Sequence, residues 1–352
     1  MSRIKLMHII SDTNFGGAGQ YVKTILDNLP QTRYQCQLVV PKGSQLKSRV
    51  STDQIFEIDG IADRSFSLRG IIETYRLIKR ESPEIIHAHG ALSGRIAAQL
   101  YGVRRIIYTK HTLSQPSSGV KRLIKHCVNK LLRADVIAVS EEVKRNLLEE
   151  GIKAEHIVRI HNSILPKSPL EFEPCTYRRI VLVGRLERIK GHHYMLEVVK
   201  RLKSDANIPF KVYFVGAGSL ESDIGRAIQD NNLPIEMTGH VDAIDAIYQM
   251  ADIVVNTSES EALPFSVLEA MNTGRPVVAF DLPSIREVIQ PDVTGFLVPP
   301  FDVDTFAKRL KTLMESENLM KSMGLKGNAR VHSNFNLETM MKEMDQFYRE
   351  GL

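Results

Sequence analysis

Short runs of Val, Ile and Leu alternate with longer stretches of helical periodicity along the whole chain. This is the pattern of parallel strands buried on both faces and joined by crossover helices. In the first half the apolar runs IKLMHII, CQLVV, EIIHAH, RRIIYTK, DVIAVS and HIVRI read as strands, and the stretches 21–29, 68–79 and 120–133 read as amphipathic helices between them. The second half restarts the pattern with RRIVLVG, FKVYFVG, IEMTG, DIVVNTS, PVVAF and GFLV. Between the halves, ILPKSPLEFEPCTYR carries prolines and loses its periodicity, as an interdomain linker does. The chain is therefore expected to be α/β and to build the same architecture twice, as Rossmann-like domains over 1–166 and 175–336 with a cleft between them. The last segment, 337–352, has a helical stripe of Met340, Met341, Met344 and Phe347 that needs a docking surface, and no strand follows it.

Length agrees with two cores, since 352 residues exceed what one ordinary core serves. Apolar residues at 43% and charged residues at 25% are average for soluble globular proteins and exclude disordered, collagen-like and membrane-spanning classes. No stretch reaches the roughly 18 apolar residues of a spanning helix. The opening MSRIKLMHIISD runs into a Gly-rich turn without a small-residue cleavage site, so it reads as a first strand and not a signal peptide. Cys36, Cys127 and Cys175 are isolated and odd in number, which supports neither a disulfide framework nor a Cys-based zinc site and suits a reducing cytoplasm. The net charge of +5 conceals an asymmetry: residues 1–170 hold 26 Lys+Arg against 15 Asp+Glu, a balance of +11, and the remainder holds 20 against 26, a balance of −6. A basic half suits an anionic membrane surface, a phosphorylated acceptor or nucleic acid, and equally a merely solubilising surface.

Two strand-to-helix loops carry the candidate chemistry. In GRLERIKG, residues 184–191, the side chains of Arg185, Arg188 and Lys190 crowd the start of a helix, where cations are disfavoured unless an anion such as phosphate sits among them. The plainer alternative has all three extending into water. In SESEALPFSVLEAMNTG, residues 258–274, Pro264 suits a first helical turn, Glu261 lies in the loop before it, and Glu269 lies inside the helix beside Ser266 and Thr273. Periodicity alone makes Glu269 a solvated residue. Two carboxylates can nevertheless accept hydrogen bonds from the vicinal hydroxyls of a sugar or ribose, and amides at the helix start can bind further oxygens.

Other motifs weaken competing readings. The turns FGGAG and VGAGS do not complete the dinucleotide fingerprint, the sixth position of the second being Glu221, so an NAD enzyme is disfavoured. Both turns remain places where backbone can approach a ligand. The strand reading sets His87 and His89 on opposite faces, poorly placed to share a metal, and the pair His192 and His193 carries no stronger metal signal. Asp302-Val303-Asp304 has the look of a metal-nucleotide motif, but its place before TFAKRLKTLM makes Asp302 an ordinary N-cap.

These residues resemble the retaining glycosyltransferases of family 4, which have the GT-B fold. The resemblance runs through the early GG turn, IIHAHG, YTKHT, ADVIAVS, GRLERIKG, VGAGSLE and TGFLVPP, and is most specific over residues 251–300. It implies that Arg185 and Lys190 hold the donor diphosphate and stabilise its charge as the sugar leaves. It also implies that Glu269 binds the ribose hydroxyls, Glu261 lies beside the donor sugar, and Ala262, Leu263, Pro264 and Phe265 present backbone amides to it. His111 matches a histidine near the reacting sugar, and Gly16 and Gly17 match a turn against the diphosphate and acceptor. Gly184, Gly216, His240 and Val241 complete the implied donor set.

The implied reaction moves a hexose or N-acetylhexosamine from a nucleotide-sugar to a cell-envelope polysaccharide, lipid-linked or other glycan acceptor. Configuration is retained, neither metal nor cofactor is needed, and a leaving phosphate oxygen takes the acceptor's proton. The C-terminal helix is expected to cross back to the first domain, which would bind the acceptor while the second binds the donor. Two departures from the family pattern are HNSI at Asn162, Ser163 and Ile164, and Ala262 where Gly is usual. The latter resembles a variant of polysaccharide and lipid-linked sugar transferases, which does not rank UDP-sugars against GDP-mannose; the donor stays open between them, with UDP-sugars favoured. Alternatives are a sugar-nucleotide 2-epimerase of the same fold and a non-catalytic transferase-like subunit, against which the intact Arg185, Lys190, Glu261 and Glu269 count. No nucleic-acid partner is implied. A cytoplasmic enzyme, peripheral at the inner membrane face, is expected from GVKRLIKHCVNKLLR and from Arg69, Arg76, Lys79 and Arg80.

Overall fold

The computed structural model describes residues 3–63, 65–114, 119–205 and 208–350, with backbone alone for 120–122, 124 and 125. The chain forms two compact units, Met1–Asn162 together with Glu338–Leu352, and Ser163–Leu337. The first holds the strands β1 (Ile4–Ile10), β2 (Tyr34–Pro41), β3 (Gln54–Ile58), β4 (Ile85–His89), β5 (Arg105–Lys110), β6 (Asp135–Ala138) and β7 (Ile157–Arg159). Their order is β3-β2-β1-β4-β5-β6-β7, parallel throughout. The second unit holds β8 (Arg178–Val183), β9 (Phe210–Val215), β10 (Ile235–Gly239), β11 (Ile253–Asn256), β12 (Val277–Phe280) and β13 (Gly295–Val298). Their order is β10-β9-β8-β11-β12-β13, again parallel.

Each sheet starts at its middle, winds outward in one direction, then returns beside its first strand and winds outward in the other. The reversal leaves a crevice at the carboxyl ends of β1 and β4 in one unit and of β8 and β11 in the other, the usual ligand position in such sheets. Central strands are buried on both faces, as in β4 and β11, which is why they read as unbroken apolar runs. The edge strand β3 reads QIFEI with both end residues and Glu57 exposed or half-exposed, so it offers no such run and lies outside the strands expected from sequence.

Two expectations about segment roles need correction. The residues expected to form an interdomain linker pack as part of the second unit: Ile164 bridges to Asn336, Leu170 donates its N–H to Thr273 at 3.0 Å, and Phe172 lies under the Arg275 guanidinium at 4.3 Å. Arg275 is fully buried and donates to the carbonyls of Glu171, Tyr248 and Gln249, so its side chain holds this segment in place. The first helix begins at Gly17, directly after the strand-leaving turn, rather than at residue 21.

The C-terminal helix Leu337–Arg349 belongs from Glu338 onward to the first unit. Met340, Met344, Phe347 and also Tyr348 are buried, whereas Met341 is only half-buried. Tyr34 donates to Asp345 at 2.8 Å, Arg33 pairs with the same carboxylate, and Arg105 lies over Phe347 at 4.8 Å. Among the described residues no helix is long and apolar enough to cross a membrane.

At the amino ends of β8 and β11, Arg179 and Asp252 form a buried ion pair at 3.0 Å, and the Asp252 carboxylate also accepts the Arg179 backbone N–H at 2.8 Å. Removing one partner of such a pair strands the other charge, at a cost of about 3 kcal/mol or more. Asp252→Ala is therefore expected to lower the unfolding free energy of the second unit by about 3 kcal/mol in denaturant titrations. A loss below about 1 kcal/mol would contradict the assigned role of the pair.

Candidate active site

At the switch point of the second unit, the loop after β8 and the loop after β11 are stitched to one another. Gly191 has φ +68°, and a Cβ there would meet the Thr257 carbonyl oxygen at 1.9 Å, so only glycine permits the contact. Thr257 Oγ1 donates to the Gly191 carbonyl at 3.0 Å, and the Glu259 N–H donates to the Ile189 carbonyl at 2.8 Å. The result is that Lys190 Nζ reaches Glu261 Oε1 at 2.6 Å. The same oxygen accepts from Ser258 Oγ at 2.7 Å and faces Asn256 Nδ2 at 3.5 Å, while the Glu261 carbonyl accepts from Ser284 Oγ at 2.7 Å. Glu261 Oε2 has no hydrogen-bond partner among the described residues.

This arrangement revises the argument from crowded cations. Lys190 already has an anion, the Glu261 carboxylate. Arg185 and Arg188 are exposed, and Arg185 has no ion pair among the described residues. Nearby, Glu187 accepts from the Ser219 N–H and Oγ at 3.0 and 2.7 Å; these bonds hold its carboxyl below the usual range, with Arg185 adding to the effect.

Glu269 departs from its expected place on a solvated face. The carboxyl of this half-buried residue accepts from Tyr248 Oη at 2.9 Å. Burial pushes its pKa up to about 7; Tyr248 opposes the shift, Asp245 adds to it and Lys167 opposes it. Its expected polar neighbours also turn inward: the Ser266 carbonyl accepts from Tyr248 at 3.2 Å, and Thr273 Oγ1 bonds back to the carbonyls of Glu269 and Ala270. The reason is tertiary, because the helix Ile244–Met250 covers this face. Tyr248 was not singled out in sequence, where it reads as an ordinary helical aromatic; its only signal is that a buried tyrosine hydroxyl needs a partner.

The remaining expected donor residues fall around these two loops. At Gly216 and Gly218 added Cβ atoms would meet the carbonyls of Gly184 at 2.1 Å and Leu186 at 2.5 Å, so both glycines serve the crossing of two loops. Gly184 packs against the Lys190 stem. His240 and Val241 follow the edge strand β10, with His240 exposed beside Asp242 at 3.4 Å. Ala262, Leu263 and Pro264 are buried, and Pro264 is the N-cap rather than a first-turn residue, since the helix starts at Phe265. Asp302 is an N-cap, accepting from the Thr305 N–H at 2.9 Å.

His111, Gly16 and Gly17 belong to the first unit. Gly16 caps the first helix with open space where a Cβ would point, and Gly17 begins that helix. His111 directly follows β5 and meets His89, with Nε2 and Nδ1 at 3.1 Å. The expectation that His87 and His89 face apart is wrong, because residues two apart on a strand share a face and the intervening Ala88 takes the other. With His8 of β1 they form a buried set in which one ring nitrogen of each lies within 4.8 Å of the others. The expected pair His192 and His193 forms no such group among the described residues; His192 is buried and held neutral, its pKa lowered to about 4 by burial.

The basic surface is partly neutralised. Arg69 pairs with Asp59 and Glu73, and Arg80 with Glu81, while Leu68 and Ile72 on the same helix are exposed. The side chains of Lys121, Arg122 and Lys125 lie outside the described residues.

The family described as Glycosyl transferases group 1 matches residues 171–330, and the one described as Glycosyltransferase Family 4 matches residues 15–166. The chain is 24% identical to an Escherichia coli UDP-Gal:alpha-D-GlcNAc-diphosphoundecaprenol alpha-1,3-galactosyltransferase, over 99% of this chain and 97% of that one. It is 23% identical to the Staphylococcus aureus capsular polysaccharide biosynthesis glycosyltransferase CapM, with 81% of each covered. Among solved structures, Anabaena Alr3699/HepE in complex with UDP and glucose superposes with a TM-score of 0.84 at 17% identity, covering 99% of this chain and 100% of that one. The two matched segments together take in every strand but β1, the loops that carry Lys190 and Glu261 and the helix that carries Glu269, and on that ground the chain belongs to the group 1, family 4 glycosyltransferases, with their GT-B fold.

Proposed function

We propose that the chain transfers a hexose or N-acetylhexosamine, with retention, from a UDP-sugar to a lipid-linked or cell-envelope glycan acceptor. The observation that carries the reading is the Lys190–Glu261 pair at the switch point of the second unit, with Glu269 on the helix that follows the Glu261 loop. In this reading the second unit binds the donor and the first, with its C-terminal helix, binds the acceptor. Arg185 and Lys190 take the diphosphate, and their charge stabilises the leaving group as the bond to the sugar breaks. A diphosphate competes with Glu261 for Lys190, while Glu261 keeps Ser258 and Asn256 and offers Oε2 to a sugar hydroxyl. The amides of Ala262, Leu263, Pro264's neighbour Phe265 and the helix start face further sugar oxygens. A relative named for UDP-Gal and a structure with UDP and glucose support a uridine nucleotide, and the diphosphoundecaprenol in that E. coli relative's name supports a lipid-linked acceptor. No metal is assigned a role, since two cations are available for the diphosphate.

A panel of UDP-, GDP- and ADP-sugars with polyprenyl-diphosphate sugar acceptors tests this reading. Transfer from a UDP-sugar is expected, and Lys190→Ala should cut kcat about 100-fold or more. Absence of transfer with every donor, or a product formed from donor alone, would reject it.

Glu269 provides a pH test. Its carboxylate can accept both ribose hydroxyls, whereas its protonated form cannot, so binding draws the group toward ionisation. Its pKa of about 7 in the free protein lies above the ordinary value of 4.5; the free folded state therefore loses stability as pH rises through that window, and ligand affinity rises through it and levels above about 7. Uridine has ribose hydroxyls but no phosphate titrating there. Calorimetric affinity for uridine should rise from pH 5.5 to 7.5, and Glu269→Gln should flatten the dependence; a flat wild-type profile would remove Glu269 from the ribose site.

The exposed Leu68 and Ile72 beside Arg76 and Lys79 support peripheral docking on an anionic membrane. Cosedimentation with phosphatidylglycerol vesicles is expected to fall as salt rises, and salt-independent or absent binding would contradict docking.

A further inference from the structure

Three histidines of the first unit, His8, His89 and His111, form a directed chain, and a fourth, His87, packs beside it. His8 Nδ1 meets His89 Nε2 at 3.1 Å, and His89 Nδ1 meets His111 Nε2 at 3.1 Å. His87 is occupied elsewhere, with Nδ1 at 2.7 Å from Tyr348 Oη and Nε2 at 2.6 Å from Thr109 Oγ1, and its ring lies 4.1 Å from that of His89. His8, His87 and His89 are buried, while His111, packed edge-on to Tyr21 at 4.8 Å, is half-buried and is where the chain of bonds reaches the surface of the unit. Burial lowers the pKa of His8 and of His111 to about 3 and holds those of His87 and His89 well below the ordinary value, so all four rings are neutral near pH 7.

A metal ion explains this set poorly. Tetrahedral ligation needs several lone pairs free to converge. Of the six ring nitrogens on His8, His87 and His89, only His8 Nε2 is unclaimed by a hydrogen bond.

A neutral imidazole has one N–H and one lone pair, so the proton position on any ring of the chain fixes the others. Two arrangements exist. In one, protons point inward from His111 to His8, leaving His8 Nε2–H buried without a partner. In the other, His8 Nδ1–H donates to His89, His89 Nδ1–H donates to His111, and His8 Nε2 is left as a bare lone pair. An orphaned buried N–H is the rarer and costlier defect. We propose that His8 and His89 are positioning residues that hold His111 in its Nδ1–H tautomer, so that His111 offers substrate a hydrogen-bond donor and not a base. The donor role rests on the reading that His111 contacts the reacting sugar, where a hydroxyl or phosphate oxygen would accept the bond. It accords with transfer in which the leaving phosphate oxygen, not a side chain, removes the acceptor's proton.

The test is imidazole-selective ¹⁵N spectroscopy of the full chain labelled at histidine, which separates Nδ1–H from Nε2–H rings. Wild type should show His8, His89 and His111 neutral at pH 7 and protonated on Nδ1. His89→Phe removes the donor that fixes His111; His111 should move toward the Nε2–H form, with kcat falling about tenfold and the donor KM unchanged. His89→Asn, whose amide nitrogen takes the place of Nδ1, should restore both signals. An Nε2–H or charged His111 in wild type, an unmoved His111 signal in His89→Phe, or stoichiometric zinc bound to these nitrogens would overturn the proposal. Predicted tautomers with no transfer from any nucleotide-sugar would support the chain of bonds and count against the sugar-transfer reading instead.

Discussion

The second unit depends on one contact, the bond of 2.6 Å between Lys190 and Glu261 that joins two loops leaving neighbouring strands. Neither loop has a sheet to order it, so each takes its shape from the other. Gly191 lets the first loop lie on Thr257, and two backbone-directed hydrogen bonds keep it there. Burial makes this constraint consequential: a carboxylate this enclosed requires a counter-charge or donors, and Glu261 has both on a single oxygen. The other oxygen, the exposed Arg185 and the underpaired Glu269 are groups that a polyhydroxylated, diphosphorylated ligand would satisfy together.

The two units treat polar groups near their switch points in opposite ways. The second collects charges and leaves Arg185 exposed. The first buries neutral rings, and because each ring has a single proton, hydrogen bonds alone can set the direction of the chain. Tyr348 brings the C-terminal helix into that set through His87, so the helix completes the polar interior of the unit as well as covering its apolar surface.

Much of this was legible in the sequence, for physical reasons that differ by feature. Doubly buried central strands had to be apolar runs, and twelve of the strands read that way, whereas half-exposed β3 could not. GRLERIKG and SEALPF announced themselves by charge at strand-to-helix turns, but whether Lys190 answered a phosphate or Glu261 was a matter of distance across 71 residues of chain, which periodicity does not encode. Glu269 was illegible for a related reason: its helix alone puts it in water, and the helix carrying Tyr248 takes it out. The histidines were misread through the phase of strand alternation rather than hidden, since the two-residue spacing of His87 and His89 already placed them on one face. The linker misled because prolines mark irregular backbone, and irregular backbone can still be packed, as Phe172 under Arg275 is.

The position of a bound donor is the most direct test. A crystal structure with a UDP-hexose is predicted to show the diphosphate within hydrogen-bond reach of Arg185 and Lys190 and the ribose hydroxyls on Glu269, at the carboxyl ends of β8 and β11. A nucleotide bound in the first unit, or away from those strand ends, would contradict it.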